Sequence, residues 1–151
     1  MHKTLKAFSL FQKMDSGATI GCCGDNCSVC PRGVASRSTD PNALRIVAEM
    51  WFRAGLRDRV VSVDEIRCDG CKSVRNCAHE SIRSCAHRQC LDNCGQCDRY
   101  ACSEIEAIFA KTAIHECEWK NRCEPNEFRL IFEAFGEKRR NLDMERQRRR
   151  G

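Results

Sequence analysis

The sequence predicts a small, mainly α-helical, irregular cysteine-rich domain that is stabilised by metal in zinc-knuckle loops. Three observations carry that expectation. Fourteen cysteines stand in 151 residues, a density that signals cross-links or metal. Three C-x-x-C units recur, at 27/30, 68/71 and 94/97. Outside them the apolar residues fall into short stripes at helical spacing. Aromatic residues make up only 7% of the chain and charged residues 31%, so the core is thin for the length.

Taken in order, residues 1–20 read as a weakly amphipathic leader in which Lys6, Gln12 and Lys13 interrupt the apolar pieces around Leu5, Phe8, Leu10 and Phe11. No apolar stretch there is long enough for a secretory h-region. The domain proper is expected over 21–136, opening on the cysteine knot GCCGDNCSVCP at Gly21–Pro31. A polar linker, Arg32–Thr39, follows. Asp40 and Pro41 then suit a helix start, because Asp caps and Pro fits the first turn. Leu44, Val47, Met50, Trp51 and Ala54 give that helix a buried side, and Gly55 ends it. Arg59–Ile66 reads as a short strand or an extended entry to the knuckle Cys68-Asp-Gly-Cys71. Val74–His87 reads as a short helix with Cys77, Ser81 and Cys85 on one face. The knuckle Cys94-Gly-Gln-Cys97 precedes a helix opened by Ser103, where Glu106 completes an S-x-x-E capping box. Pro125 starts a helix with Phe128, Ile131, Phe132 and Phe135 as its stripe. Residues 137–151 form a basic tail, a frayed and solvated helix end on its simplest reading.

Compartment decides between disulfides and metal. No run approaches the roughly 20 apolar residues of a membrane span, and no secretory signal is read. A cytoplasmic location is expected, where thiols stay reduced and cysteine clusters mean metal. The formal charge of +5 counts thiols as neutral. Two zinc ions, each held by four thiolates, would lower it to about +1. Glu137–Gly151 holds seven basic and three acidic residues, so the metal-loaded body is slightly acidic. Contact with nucleic acid is thereby confined to the basic tail.

A C-x-x-C turn points two sulfurs at one centre, and zinc takes four such ligands in a tetrahedron. Gly70 and Gly95 sit inside two of the turns, where positive φ is expected. The expected ligands are Cys23, Cys27, Cys30, Cys68, Cys71, Cys77, Cys85, Cys94, Cys97 and Cys102, enough for two zinc ions. One grouping sets Cys23, Cys27 and Cys30 with Cys102, or with Cys85, and faces 68/71 with 94/97. Cys22, adjacent to Cys23, reads as a non-ligand, and Cys117 and Cys123 as free thiols. His79, His87 and His115 lie near cysteines; any one could replace a thiolate, though a surface role is the simpler reading. Asp25 reads as solvating its turn. An iron–sulfur cluster is the alternative cofactor. Cys23-x3-Cys27-x2-Cys30 has the spacing of radical S-adenosylmethionine enzymes, but Val29 stands where those usually have an aromatic, and the chain is short for their barrel. No Ser-His-Asp order, paired-carboxylate motif or phosphate loop is found. A zinc enzyme would need an open position, which all-cysteine sites close.

The runs CCGDNCSVCP, CDGC, SIRSCA and NCGQCDRYACSEI resemble the cysteine-rich family known as domain of unknown function 3795. The resemblance spans Cys23 to about Ile105. Its motif positions fall on Cys23, Cys27, Cys30, Cys68, Cys71, Cys85, Cys94, Cys97 and Cys102. Ser81 stands where the family often has cysteine, with Cys77 one turn earlier, and Ala101 replaces the proline before the last cysteine. The resemblance implies zinc and no agreed activity. The expected function is that of a zinc-binding protein with mainly structural metal, acting through an unknown protein partner. The alternative is an iron–sulfur protein in electron transfer or redox sensing.

Overall fold

The computed structural model describes residues 18–71 and 77–151. The leader reading of 1–17 and the start of the expected helix at Val74 therefore lie outside the described residues. Among the described residues seven α-helices and one 3₁₀ turn follow one another: α1 Pro31–Arg37, α2 Ala43–Arg53, α3 Val63–Ile66, α4 Glu80–Arg88, the 3₁₀ turn Cys94–Gln96, α5 Ser103–Arg122, α6 Pro125–Phe135 and α7 Lys138–Arg150. Among the described residues there is no strand, only an isolated bridge between Ile20 and Asn26. The chain is thus mainly helical, small and cysteine-rich, as the sequence predicts.

One apolar cluster joins α1, α2 and α6 through Ala35, Leu44, Val47, Met50, Trp51 and Ala134. The apolar stripe of α2 supplies most of it, and Trp51 is a core residue. The helix starts later than the expected Asp40 and Pro41: Asn42 is its N-cap without a side-chain cap bond, and the Asp40 carboxylate accepts from Asn42 N at 2.9 Å in the preceding turn. Beyond the helix Gly55 takes φ +77°, the left-handed conformation that glycine adopts without a Cβ penalty. A second cluster gathers Cys22, Cys23, Ile82, Ala86, Ile105, Phe109 and Leu142. It joins the first cysteine loop to α4, α5 and α7. Ala54, Trp119 and Ile131 form a third, smaller cluster.

Four elements differ from the expectation. Arg32–Thr39 is no linker: Pro31–Arg37 is helical with Pro at its first turn. Arg32 is buried there. Its guanidinium donates to the carbonyls of Ile66, Arg67 at 3.0 Å and Glu65 at 3.3 Å, covering the open carbonyl end of α3. Arg59–Ile66 contains no strand. Ser62 and Glu65 form a reciprocal capping box that starts α3. The helix expected from Val74 begins at Glu80, which leaves Cys77 outside it. The capping box expected at Ser103 is absent. Cys102 is the N-cap, without a side-chain cap bond, and Glu106 instead pairs with Arg139 at 2.5 Å.

The basic tail is packed rather than frayed. In α7, Leu142 is fully buried and Lys138 nearly so. Asn141 donates to Gly24 O at 2.9 Å and Arg146 to Cys97 O at 2.8 Å. Leu142, the single aliphatic anchor among the tail's many charges, is what seats this helix.

Candidate metal centre

Two cysteine clusters are assembled, and all fourteen thiols are free. The first begins in the turn Gly21–Asn26. Gly24 takes φ +97° and packs so closely on α7 that a Cβ would come 2.5 Å from Lys138 O. Gly21 N donates to Asp25 O at 2.8 Å, and Asn26 N to Ala134 O at 2.9 Å on α6. Cys27 N donates to Thr19 O at 2.8 Å. The turn is thus fixed from both sides, and Cys23, Cys27 and Cys30 line one cavity. Cys68 enters the same cavity because its N–H donates to Ser36 Oγ at 2.8 Å, tying the second knuckle to α1. Cys71 comes in with it; a Cβ on Gly21 would lie 3.1 Å from both Cys27 Sγ and Cys71 Sγ. Six cysteines, at 23, 27, 30, 68, 71 and 77, line this cavity of about 250 Å³.

The thiols are electrostatically frustrated. Cys71 is held far below the usual thiol range because the Cys22 and Cys27 thiols donate to it. Those two are pushed up, by the same bonds to Cys71 and then by burial. Burial raises Cys23 well above its usual value, and the nearby Asp25 charge adds to this. Burial pushes Cys30 up to about 12, partly offset by the Gly33 and Arg32 N–H groups at the start of α1. Ionisation of Cys71 is favoured at the expense of the thiols around it. A dication among them would offset that cost.

The second cluster comprises Cys85, Cys94, Cys97 and Cys102. They arrive from the last turns of α4, from the 3₁₀ turn and from the N-cap of α5. All four line one cavity of about 20 Å³. Gln89 bridges two of them, its Nε2 donating to Cys85 Sγ at 3.2 Å while Cys97 Sγ donates to its Oε1 at 3.7 Å. Cys94 is pushed up to about 12 by burial and then by the charges of Cys102, Cys97 and Cys85. Gly95 does not take the positive φ expected of it. Its role is close packing: a Cβ there would lie 2.5 Å from Leu142 O. Cys94 N donates to Cys22 O at 3.0 Å, which joins the two clusters.

All ten cysteines named from the sequence line one of these two cavities, but their grouping differs from the expected one. Knuckle 68/71 sits with 27/30, not with 94/97, and Cys102 sits with Cys85, Cys94 and Cys97. The α1–α3 contacts decide this, and spacing along the chain does not encode them. Cys22 lies beside Cys71, its N–H 3.5 Å from that sulfur. Cys90 and Cys117 are exposed, and Cys123 packs beside Trp119.

The least expected grouping is Cys23, Asp25 and His79, whose ligand atoms all lie within 4.8 Å of one another. Burial lowers the His79 pKa, favouring the neutral ring that binds metal. Lys138 Nζ lies 2.7 Å from Asp25 Oδ1 and donates to Phe135 O at 2.8 Å. Asp25 follows Cys23 by two residues in a tight turn, a legible signal. The approach of His79 is a long-range contact with no local trace.

Among the described residues no helix is long and apolar enough to cross a membrane. No curated protein and no solved structure matches the chain. The family described as "Protein of unknown function (DUF3795)" matches residues 19–107, more than half of the chain and both cysteine clusters, and the chain belongs to that family.

Proposed function

We propose that this is a zinc-binding protein with two tetrathiolate centres whose metal is mainly structural, and that it acts through a protein partner rather than by catalysis. The observation that carries the reading is that Cys85, Cys94, Cys97 and Cys102 all line one cavity of about 20 Å³. That is room for one small species of about water's size, and four thiolates are the donor set of a closed structural zinc site. Cys27, Cys30, Cys68 and Cys71, two C-x-x-C units lining one cavity, are the natural second set. Each zinc would contribute on the order of 10 kcal/mol to folding. That is the scale needed to order a 68–102 segment with few large apolar residues. A cytoplasmic location fits free thiols kept reduced.

A partner would meet the exposed surface. Contact with nucleic acid would be limited to the outer face of α7, where Arg139, Arg140 and Arg148 are already paired to Glu106, Glu137 and Glu145. The iron–sulfur alternative draws on the larger cavity, whose six cysteines exceed what one zinc takes. One experiment separates the readings. Elemental analysis of protein purified without air is expected to give two tightly held zinc ions per chain in a colourless sample. Less than one zinc, or near-stoichiometric iron in a brown sample, would refute the zinc reading.

A further inference from the structure

We propose that Cys23, Asp25 and His79 form a third metal site, separate from the tetrathiolate centres, that holds a zinc-type dication with one exchangeable position and presents it to a small anionic ligand with an apolar body.

The donor set is of a different kind from the two thiolate quartets. The three ligand atoms lie within 4.8 Å of one another. Ligands of a tetrahedral zinc stand roughly 3.3–3.8 Å apart at ordinary bond lengths, so small side-chain rotations close the site. One sulfur, one carboxylate oxygen and one imidazole nitrogen match the three-ligand pattern of zinc sites that keep a position for water or substrate. The proposal rests on the preceding reading in one respect: Cys27, Cys30, Cys68 and Cys71 form their own quartet, which leaves Cys23 to this site.

Charge sets what the site would accept. A zinc with four thiolates carries about −2 and repels anions, whereas zinc with one thiolate, one carboxylate and a neutral imidazole is near neutral. Lys138 adds a buried positive charge 2.7 Å from Asp25. It also fixes the carboxylate, as outer-shell partners of metal ligands do. The mixed site together with Lys138 is therefore locally cationic, and it is the part of a cavity shared with the quartet that suits an anion.

Shape sets the rest. Cys23, Asp25 and His79 line the cavity of about 250 Å³ together with Trp51, Trp119 and Phe135, and Lys111 stands on the same wall. The three rings pack against one another, Trp51 to Phe135 at 5.9 Å and Trp119 to Phe135 at 6.2 Å. Lys138 lies over the Phe135 ring at 5.4 Å, so the aromatic wall and the metal ligands meet at one residue. The volume falls just below the range of drug-sized pockets, which fits a compact ring bearing a ligating anion.

The test uses the full chain with its tight zinc in place, dialysed against a mild chelator and titrated with Co²⁺. The expected result is one further equivalent of cobalt with visible d–d bands and a single-thiolate charge-transfer band. Azide should shift those bands, and benzohydroxamate should do so at least tenfold more tightly than acetohydroxamate. Asp25→Asn and His79→Ala should each abolish the cobalt equivalent while both tight zinc ions and the helical circular-dichroism signal stay unchanged. The nearly isosteric Asp25→Asn guards against a fold defect in the histidine variant. Cobalt uptake that survives both substitutions overturns the site. Bands that azide leaves unmoved, or that vanish in Cys77→Ser, overturn the exchangeable position by showing a closed shell. Equal affinity for the two hydroxamates overturns the apolar part of the ligand class. An unsubstituted chain that fails to retain two tight zinc ions yet still takes up one cobalt equivalent, lost in both variants, would refute the two-centre reading and leave this one standing.

Discussion

Replacing Leu142 by alanine tests whether α7 belongs to the domain or only follows it. Leu142 is fully buried and packs in the same apolar cluster as Cys22, Cys23, Ile82 and Ile105. Its backbone carbonyl closes on Gly95, and its side chain faces Gly24. Leu→Ala at a fully buried site costs about 2–5 kcal/mol through lost transfer energy and the remaining cavity. A value of about 3 kcal/mol is expected here, since charged neighbours on α7 cannot collapse into the space. For a chain of this length that corresponds to a fall of roughly 6–12 °C in Tm. The assay is thermal unfolding at one fixed, saturating zinc concentration, because metal binding adds to apparent stability by mass action. Met144→Ala, at a position 43% exposed on the same helix, is the control and should stay within about 0.5 kcal/mol. Chelator extraction of zinc from Leu142→Ala should also be faster, since Gly24 loses the side chain that backs it. A loss under about 1 kcal/mol, or one no larger than the Met144 control, would refute the packed role of α7.

Three further outcomes follow from named contacts. Arg32→Ala strips three carbonyls of a buried charged donor and should cost about 2–3 kcal/mol, read as a lower urea midpoint; Arg32→Lys should recover little of it. The Glu65 carboxyl is held down to about 2, first by Arg59 and then by the Ser62 N–H and hydroxyl. A depressed carboxyl stabilises the fold above its unfolded value of 4.5 and stops doing so as pH falls toward 2. An NMR titration should therefore place its midpoint near 2, with the α3 amide shifts moving over the same window; a midpoint near 4.5 would disprove the capping box. Cys94→Ser should remove one tight zinc per chain and lower Tm with it, whereas Cys117→Ser should change neither metal content nor Tm, because Cys117 is exposed and outside both cavities.

What the sequence made legible was local. The stripe Leu44, Val47, Met50, Trp51 reads directly as the buried face of α2 because helical periodicity is a short-range signal. The six cysteines of the C-x-x-C units were legible as candidate ligands for the same reason: such a turn needs only four residues to aim two sulfurs. Their partition into centres was not, because it depends on Ser36 receiving Cys68 N–H and on α4 setting Cys85 beside the 3₁₀ turn. Arg32 misled as a polar linker residue. A guanidinium that is buried becomes recognisable only once the carbonyls it serves are known. The tail misled similarly. Seven basic residues outvote one leucine in composition, yet α7 is seated by buried Leu142 together with the contacts of Lys138, Asn141 and Arg146. Cys22 read as a non-ligand because neighbouring residues rarely share one turn; it lies outside both cavities and meets Cys71 through its backbone N–H at 3.5 Å.

The two kinds of site explain each other's presence. A chain with so few aromatic residues has little apolar surface with which to order its loops against a conformational entropy of about 1–2 kcal/mol per residue. Closed thiolate centres would supply that order without presenting any reactive position. Once the loops are fixed, side chains outside those centres can be held in a defined geometry. Cys23, Asp25 and His79 are of that sort, since neither C-x-x-C pair in the cavity needs them. Asp25 is kept in place by Lys138, which α7 delivers, and α7 is itself seated by Leu142 among the cysteines of the first loop. The helix that looks like a basic appendage is therefore the element through which the cysteine scaffold and the mixed-ligand group are coupled. Weakening it should disturb the cobalt spectrum of the mixed site before it releases the tight zinc. The reverse order would mean that Lys138 has no part in orienting Asp25.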